Sequence, residues 1–278
     1  MINYQLDDSG IATLLCDLPG RSQNLGHAEH GAALLAAIAA ATQDAAVKAI
    51  LLTSADPNFA GDFEWLPCDG DAAELFARTM ARQRTLRQLE CCGKPVACAL
   101  PGSALGPGLE LALAAHYRVA ADRPKARLGL PEVRRGRLPG GGGTQRLARL
   151  IGIQQALPLL LEGEALAPET ALQRGLIHAL VPPGSEVPAA RAWLLAQTGP
   201  VQQPWDSKGY KIPGGAVSSP AVQQLFMLAN AMLRAKALDN RLVPQHILSC
   251  VYEGLITDID TGLKTEARYV VHALLAGP

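Results

Sequence analysis

Two glutamates, Glu110 and Glu132, stand beside the two glycine-rich turns of the chain, Pro101 to Gly108 and Pro139 to Gly143. A pair of carboxylates can take a proton from one atom and deliver one to another. Backbone N–H groups left free in tight turns can hold the negative charge that a carbonyl oxygen gains meanwhile. The residue types and their order point to acid/base chemistry on a carbonyl compound. Each glutamate also has a structural alternative. Glu132 follows Pro131 and could be a loop or cap residue. Glu110 falls in an apolar helix-length segment, Leu109 to Ala115, where a lone carboxylate is rarely buried without a partner or a role. The run Gly140 to Gly143 lacks the Gly-Lys-Ser/Thr ending of a nucleotide-binding loop, and its glycines suit close backbone approach instead.

The elements that must position these residues follow from periodicity and turn signals. Ile2 to Leu6 and Ile11 to Asp17 read as strands joined by the turn Asp7-Asp8-Ser9-Gly10. Gly31 to Thr42 is an alanine-rich helix, and Val47 to Thr53 an apolar strand. Asp71 is placed to cap a helix running to Leu89. Val96 to Leu100 and Tyr117 to Ala121 are buried strands on either side of the Glu110 segment. Helices follow at Thr144 to Ile151, Ile153 to Leu161 and Pro168 to Arg174, the last with Gly175 at its C′ position, then a strand at Leu176 to Val181. A Pro/Gly/Gln-rich stretch, Thr198 to Pro220, separates these from three helices at Val222 to Leu238, Pro244 to Gly254 and Thr261 to Leu275. His116, at the end of the Glu110 segment, is read as a C-terminal helix cap.

Composition narrows the function classes. With 278 residues and 49% apolar side chains, the chain can bury a sizeable core. Zero net charge and a pI near 7.0 give no reason to expect nucleic acid or an anionic membrane as partner. The six cysteines show no metal-ligand spacing, and the adjacent Cys91 and Cys92 read as reduced thiols. MINYQLDDSG is too polar for a signal peptide. No apolar run approaches the roughly 20 residues of a membrane-spanning helix. The cytoplasm is the expected compartment.

At the two glycine turns the sequence resembles the crotonase (enoyl-CoA hydratase/isomerase) family. ALGPGLELALAAHYRVAA is similar to the family pattern A-L-G-G-G-x-E-L-A-L-A followed by a strand. LGLPEVRRGRLPGGGGTQRLARLIG is similar to G-L-P-E-x-x-x-G-x-x-P-G-x-G-G-T-Q-R-L, a long and specific match. LEGEALAPETALQRGLIHALV resembles a further family segment. PWDSKGYKIPGG and ILSCVYEGLITDIDTGLKTEARYV resemble the N-terminal hydratase module of the alpha chain of bacterial fatty-acid oxidation multienzymes. No Gly-x-Gly-x-x-Gly element follows a strand here, so the dehydrogenase part of such chains is not expected.

The resemblance implies an α/β fold of repeated strand-strand-helix units forming a superhelix, with a helical C-terminal region. Residues 1–197 would be the acyl-CoA-binding core, and 198–278 a linker and C-terminal helices. It implies an acyl-CoA thioester substrate, no cofactor beyond the coenzyme A that the substrate carries, no metal, and a homotrimer or dimer of trimers. Glu110 and Glu132 would be the catalytic pair of an enoyl-CoA hydratase, both holding the water added to a 2-enoyl-CoA in fatty-acid β-oxidation or a related pathway. Two backbone N–H groups would polarise the thioester carbonyl. One would come from Ala60 or Gly61, in a loop two residues shorter than the family's, and the other from the turn Gly106, Pro107 and Gly108. Pro131 and Gly140 would line the substrate site, and Arg21 and Asp62 would approach coenzyme A. One residue departs from the pattern. Pro107 stands where the family's second oxyanion donor stands, and proline has no N–H. The resemblance thus admits a hydratase, a module that binds acyl-CoA or a partner with impaired turnover, or an isomerase, which needs only the carboxylate at Glu132.

Overall fold

A computed structural model of the chain describes residues 3–16, 28–59, 69–235 and 242–277. Its strands of three residues or more are β1 (Asn3–Leu6), β2 (Ile11–Leu15), β3 (Ala49–Thr53), β4 (Val96–Leu100), β5 (Tyr117–Ala121) and β6 (Ala179–Val181). Its α-helices are α1 (Ala28–Gln43), α2 (Ala72–Cys91), α3 (Pro107–Leu113), α4 (Gly143–Ile151), α5 (Ile153–Leu161), α6 (Pro168–Gln173), α7 (Glu186–Leu195), α8 (Pro220–Ala235), α9 (Leu242–Leu255) and α10 (Ile259–Ala276). The chain divides into two compact units. One comprises Met1–Pro67, Arg84–Leu128 and Leu166–Gln203, the other Cys68–Gln83, Gly129–Ala165 and Pro204–Pro278. The division passes through α2 between Gln83 and Arg84.

The first unit is built on one sheet in the order β1-β2-β3-β4-β5-β6. Only β1 is antiparallel, paired with β2 across a tight turn. Gly10 closes that turn at φ 79°, a conformation costly for any residue with a Cβ. Asp7 Oδ1 accepts from the N–H groups of Ser9 (2.8 Å) and Ile11 (3.1 Å), as turn aspartates do. The remaining pairs are parallel, with Leu51 opposite Ala97 and Ala99 opposite Val119. Parallel strands need both faces covered, and β3 and β4 are buried along their whole length. Helix α7 covers one face. Its Ala190 and Leu194 pack with Ile11, Leu51, Ala97, Ala99 and Val119, and Trp193 stacks on Tyr117 with ring centroids 4.8 Å apart. The small side chains of Ala97 and Ala99 let the helix approach closely.

Buried polar groups tie this unit together. Val96 donates its N–H to His116 Nδ1 (3.1 Å), and His116 Nε2 lies 3.0 Å from the carbonyl oxygen of Glu90. With Nδ1 accepting, Nε2 carries the proton and donates to Glu90 in the last turn of α2. His116 therefore caps α2 and not α3, whose own C-cap is Ala114. The expectation that it closes its own segment is corrected: the ring reaches across to a helix that ends earlier in the chain. Arg118, fully buried, donates to the carbonyls of Leu176, Ala112 and Ala115. Burial lowers its pKa to about 10, which leaves it charged at neutral pH.

The second unit is helical. Helices α9 and α10 form an antiparallel pair against which α4 packs, and α5 and α8 pack in turn on α9. Phe226 of α8 meets Tyr252 of α9 edge to face at 5.1 Å. Asp258 caps α10 by accepting from Thr261 N–H at 2.8 Å, and Asp71 caps α2 by accepting from Glu74 N–H at 2.9 Å. Among the described residues no helix is long and apolar enough to cross a membrane.

Candidate active site

In the first unit, the segment leading to Ala60 and Gly61 lies along the segment leading to Gly106. Asn58 bridges Ser103 in parallel, and Phe59 donates its N–H to the carbonyl oxygen of Ser103 at 2.7 Å. Gly102 permits this approach. A Cβ there would stand 3.0 Å from the carbonyl carbon of Pro57 and closer still to its oxygen. Phe59 is buried and anchors the end of its loop. Ala60, Gly61, Asp62 and Arg21 lie outside the described residues.

The second turn leads straight into α3. Gly106 is the N-cap at φ 52°, ψ −122°, and Pro107 is the first helical residue. Proline suits that position because its N–H would have no partner within the helix. The consequence for chemistry is direct: the first N–H pointing out of α3 is missing. Gly108 follows, in the first turn, where the helical ladder offers no acceptor for its N–H. Glu110 closes the first helical bond by donating its N–H to Gly106 at 3.0 Å. Its carboxylate sits in the turn where the helix carries partial positive charge. Glu110 is 1% exposed, among Leu109, Leu111, Ala112 and Leu113, which are also buried.

In the second unit, Pro131 opens a short 3-10 helix, Pro131–Arg135, closed by Gly136 at φ 66°. Glu132 is its second residue and is half-buried. The carbonyl oxygen of Glu132 accepts from Arg137 N–H at 3.1 Å, and Arg134 Nε donates to the carbonyl of Glu162 at 3.0 Å. These bonds hold the segment to itself and to the end of α5.

The loop that follows, Pro139 to Gly143, is buried and held on both sides by charged groups of its own unit. Arg82 donates to the carbonyl oxygen of Gly140, and Arg146 to that of Gly141 at 2.6 Å. On the donor side, Glu266 Oε1 accepts from Gly142 N–H (2.6 Å) and from Gln83 Nε2 (2.9 Å). Glu266 Oε2 accepts from Thr144 N–H (3.0 Å) and Thr144 Oγ1 (2.5 Å). All three charged residues are buried. The glycines make room for them: a Cβ on Gly140 would meet Arg82 and Val270, and one on Gly142 would meet Arg146 and Leu263. Gln145 of the Thr-Gln-Arg motif, and Arg149 one turn beyond it, are structural too. Gln145 Nε2 donates to Cys250 carbonyl (3.1 Å), and Arg149 Nη2 to the carbonyls of Gly254 (2.9 Å) and Thr257 (3.0 Å). Burial, then the neighbouring Glu266, holds the Cys250 thiol well above its usual pKa, so it stays neutral.

Glu110 thus belongs to the first unit with the Phe59–Ser103 pairing and the Gly106–Gly108 turn, and Glu132 to the second with Pro131 and Gly140. Arg82 and Glu266 carried no signal of their own in the sequence. A conspicuous glycine run beside a Thr-Gln-Arg motif pointed to the loop, but not to what would fill the space the glycines leave.

Residues 16–198 match the sequence profile described as Enoyl-CoA hydratase/isomerase. The chain belongs to that family. A fatty acid oxidation complex subunit alpha from Shewanella loihica is 36% identical over 265 residues, covering 94% of this chain and 37% of the relative. The chain therefore spans less than two-fifths of the length of such relatives. The structure of Pseudomonas aeruginosa DspI is 28% identical with a TM-score of 0.62, covering 71% of this chain and 81% of that one. An enoyl-CoA hydratase from Geobacillus kaustophilus shares the fold at 24% identity and a TM-score of 0.60, over 98% of this chain and 87% of that one. The α/β architecture with its helical C-terminal region is the crotonase fold.

Proposed function

We propose that this chain is an enoyl-CoA hydratase, adding water across the double bond of a 2-enoyl-CoA thioester. The observation that carries the reading is Glu110. It is 1% exposed, in the first turn of α3 and directly after the Gly106–Gly108 turn. Family membership supplies a use for a carboxylate at this place in the chain. In this reading Glu110 and Glu132 both act on the attacking water. One takes its proton as oxygen adds to C3, and C2 receives a proton in turn. The enolate that forms between these events is held at its oxygen by backbone N–H groups, one from Ala60 or Gly61 and one from Gly108 in place of Pro107. Coenzyme A enters as part of the substrate, with Arg21 and Asp62 as its candidate contacts, and water addition needs no redox cofactor. Retention of both glutamates favours hydration over double-bond migration, for which Glu132 alone would serve.

A second reading rests on Pro107. Losing one oxyanion donor costs on the order of 10²–10³ in rate. The module would then bind acyl-CoA with little turnover. The deciding experiment is hydration of crotonyl-CoA and of a longer 2-enoyl-CoA by the purified chain, alongside titration with the same ligands. Turnover that falls about a thousandfold in both Glu110→Gln and Glu132→Gln, with the double variant losing little more than either single, supports two groups acting as one unit in a hydratase. Tight binding with negligible turnover in the unsubstituted chain supports the second reading.

A further inference from the structure

Glu266 lies far along the chain from either candidate catalytic glutamate. Yet its buried carboxylate takes four hydrogen bonds, two of them from backbone N–H groups of the glycine loop and the first turn of α4. The loop is the continuation of the Glu132 segment. Only Gly136 to Gly141 intervene between that 3-10 helix and the residue bonded to Glu266. Between Glu132 and the loop, Arg134 ties the segment to the end of α5. The path of the chain leaving Glu132 is thus fixed at two successive places, and one of them is a charge contributed by α10.

We propose that Glu266 is a positioning residue for Glu132. Its carboxylate binds Gly142 and Thr144 from the N–H side while Arg82 and Arg146 bind Gly140 and Gly141 from the carbonyl side. The loop is clamped between opposite charges and cannot rotate its peptide planes without breaking bonds on both sides. A carboxylate suits this task because it is acceptor-only and can meet four donors at once. An amide in its place would present its own N–H₂ to donors that need an acceptor. The role rests on the hydratase reading in that Glu132 is that reading's catalytic group.

The test compares the unsubstituted chain with Glu266→Gln and Glu266→Asp, well below their melting temperatures. Hydration kinetics on crotonyl-CoA, titration with the unreactive butyryl-CoA, and amide hydrogen exchange of the peptide spanning Gly140 to Gln145 are measured together. In Glu266→Gln the expected result is a kcat lower by about tenfold or more, with KM and the butyryl-CoA Kd within about threefold. Exchange at the glycine-loop peptide rises by about tenfold or more while peptides from β3 and β4 stay protected. Glu266→Asp, which keeps the charge, falls between. A Glu266→Gln protein that folds and keeps kcat within about twofold overturns the proposal. So does one in which kcat, KM, Kd and exchange everywhere worsen together, because that is a general loss of structure. If the unsubstituted chain does not hydrate crotonyl-CoA, the hydratase reading has failed on its own account. The exchange arm then decides: acceleration confined to the loop supports Glu266 as its anchor, and unchanged exchange refutes it. Should both Glu266 variants fail to fold, Thr144→Val removes one donor and leaves the carboxylate. It is expected to move kcat and loop exchange in the same direction by a smaller amount, and no movement overturns the proposal.

Discussion

Phe59 donates its backbone N–H to the carbonyl oxygen of Ser103 at 2.7 Å, joining the segment before Ala60 to the segment before Gly106. The described segments that lead to the two candidate oxyanion turns are thereby joined at one backbone contact, and Gly102 makes it possible. An alanine there would drive its Cβ into the backbone of Pro57, which cannot swing away as a side chain would. Gly102→Ala is expected to lower stability by about 1–3 kcal/mol, the usual range for overpacking. On the hydratase reading it should also depress kcat in the folded fraction, because the segments before both candidate oxyanion turns are pushed apart. Thermal denaturation with crotonyl-CoA kinetics checks this; unchanged kcat would separate the contact from the chemistry.

His246 of α9 and His272 of α10 face each other with Nε2 and Nδ1 2.7 Å apart, and Tyr269 packs edge-on against His246 at 5.1 Å. Tyr269 in turn donates to Glu253 at 2.7 Å. One imidazole donates to the other only while at least one nitrogen of the pair is unprotonated. Burial, and then the neighbouring His272, lower the pKa of His246 below its ordinary value of 6.5. A histidine whose folded pKa is depressed binds fewer protons folded than unfolded. Its contribution to stability is complete above the unfolded pKa and is lost as pH falls through the folded one. The melting temperature is therefore expected to fall between about pH 7.5 and about pH 5, and to fall less in His272→Asn. An equal fall in both proteins would remove the pair from the explanation.

The strands and most helices were legible because their signals are local. Val96–Leu100 and Tyr117–Ala121 occupy the runs their apolar residues mark, and Ile153–Leu161 the span its periodicity marks. Helix α7 was not legible. Pro188 interrupts its first turn and no strong stripe survives, yet Leu194 is 3% exposed in the core against β3, β4 and β5. Its helicity is supported by the sheet it covers more than by its own sequence. The glycine loop failed for a related reason. Arg82 and Glu266, which explain Gly140 and the buried N–H of Gly142, come from α2 and α10, and no local pattern announces a partner so distant. Leu194→Ala is expected to cost about 2–5 kcal/mol by urea denaturation, in line with buried leucines elsewhere. A cost below about 1 kcal/mol would mean α7 is peripheral to the core.

Pro107 decides between the two functional readings. It is the first residue of α3, with Gly106 at φ 52° as its N-cap, and proline's fixed φ suits that place. If the family position must donate, the chain has lost an oxyanion contact and restoring an N–H should restore rate. If Gly108 has taken over, the N–H that matters is already present one residue on. The hydratase reading commits to the second. Pro107→Gly is expected to leave kcat for crotonyl-CoA within about threefold and to cost about 1 kcal/mol of stability, because glycine gives up proline's restriction of the unfolded chain. A rise of about a hundredfold or more would be the recovery of one missing donor. It would identify the natural chain as an acyl-CoA-binding module whose carboxylates outlasted its oxyanion hole.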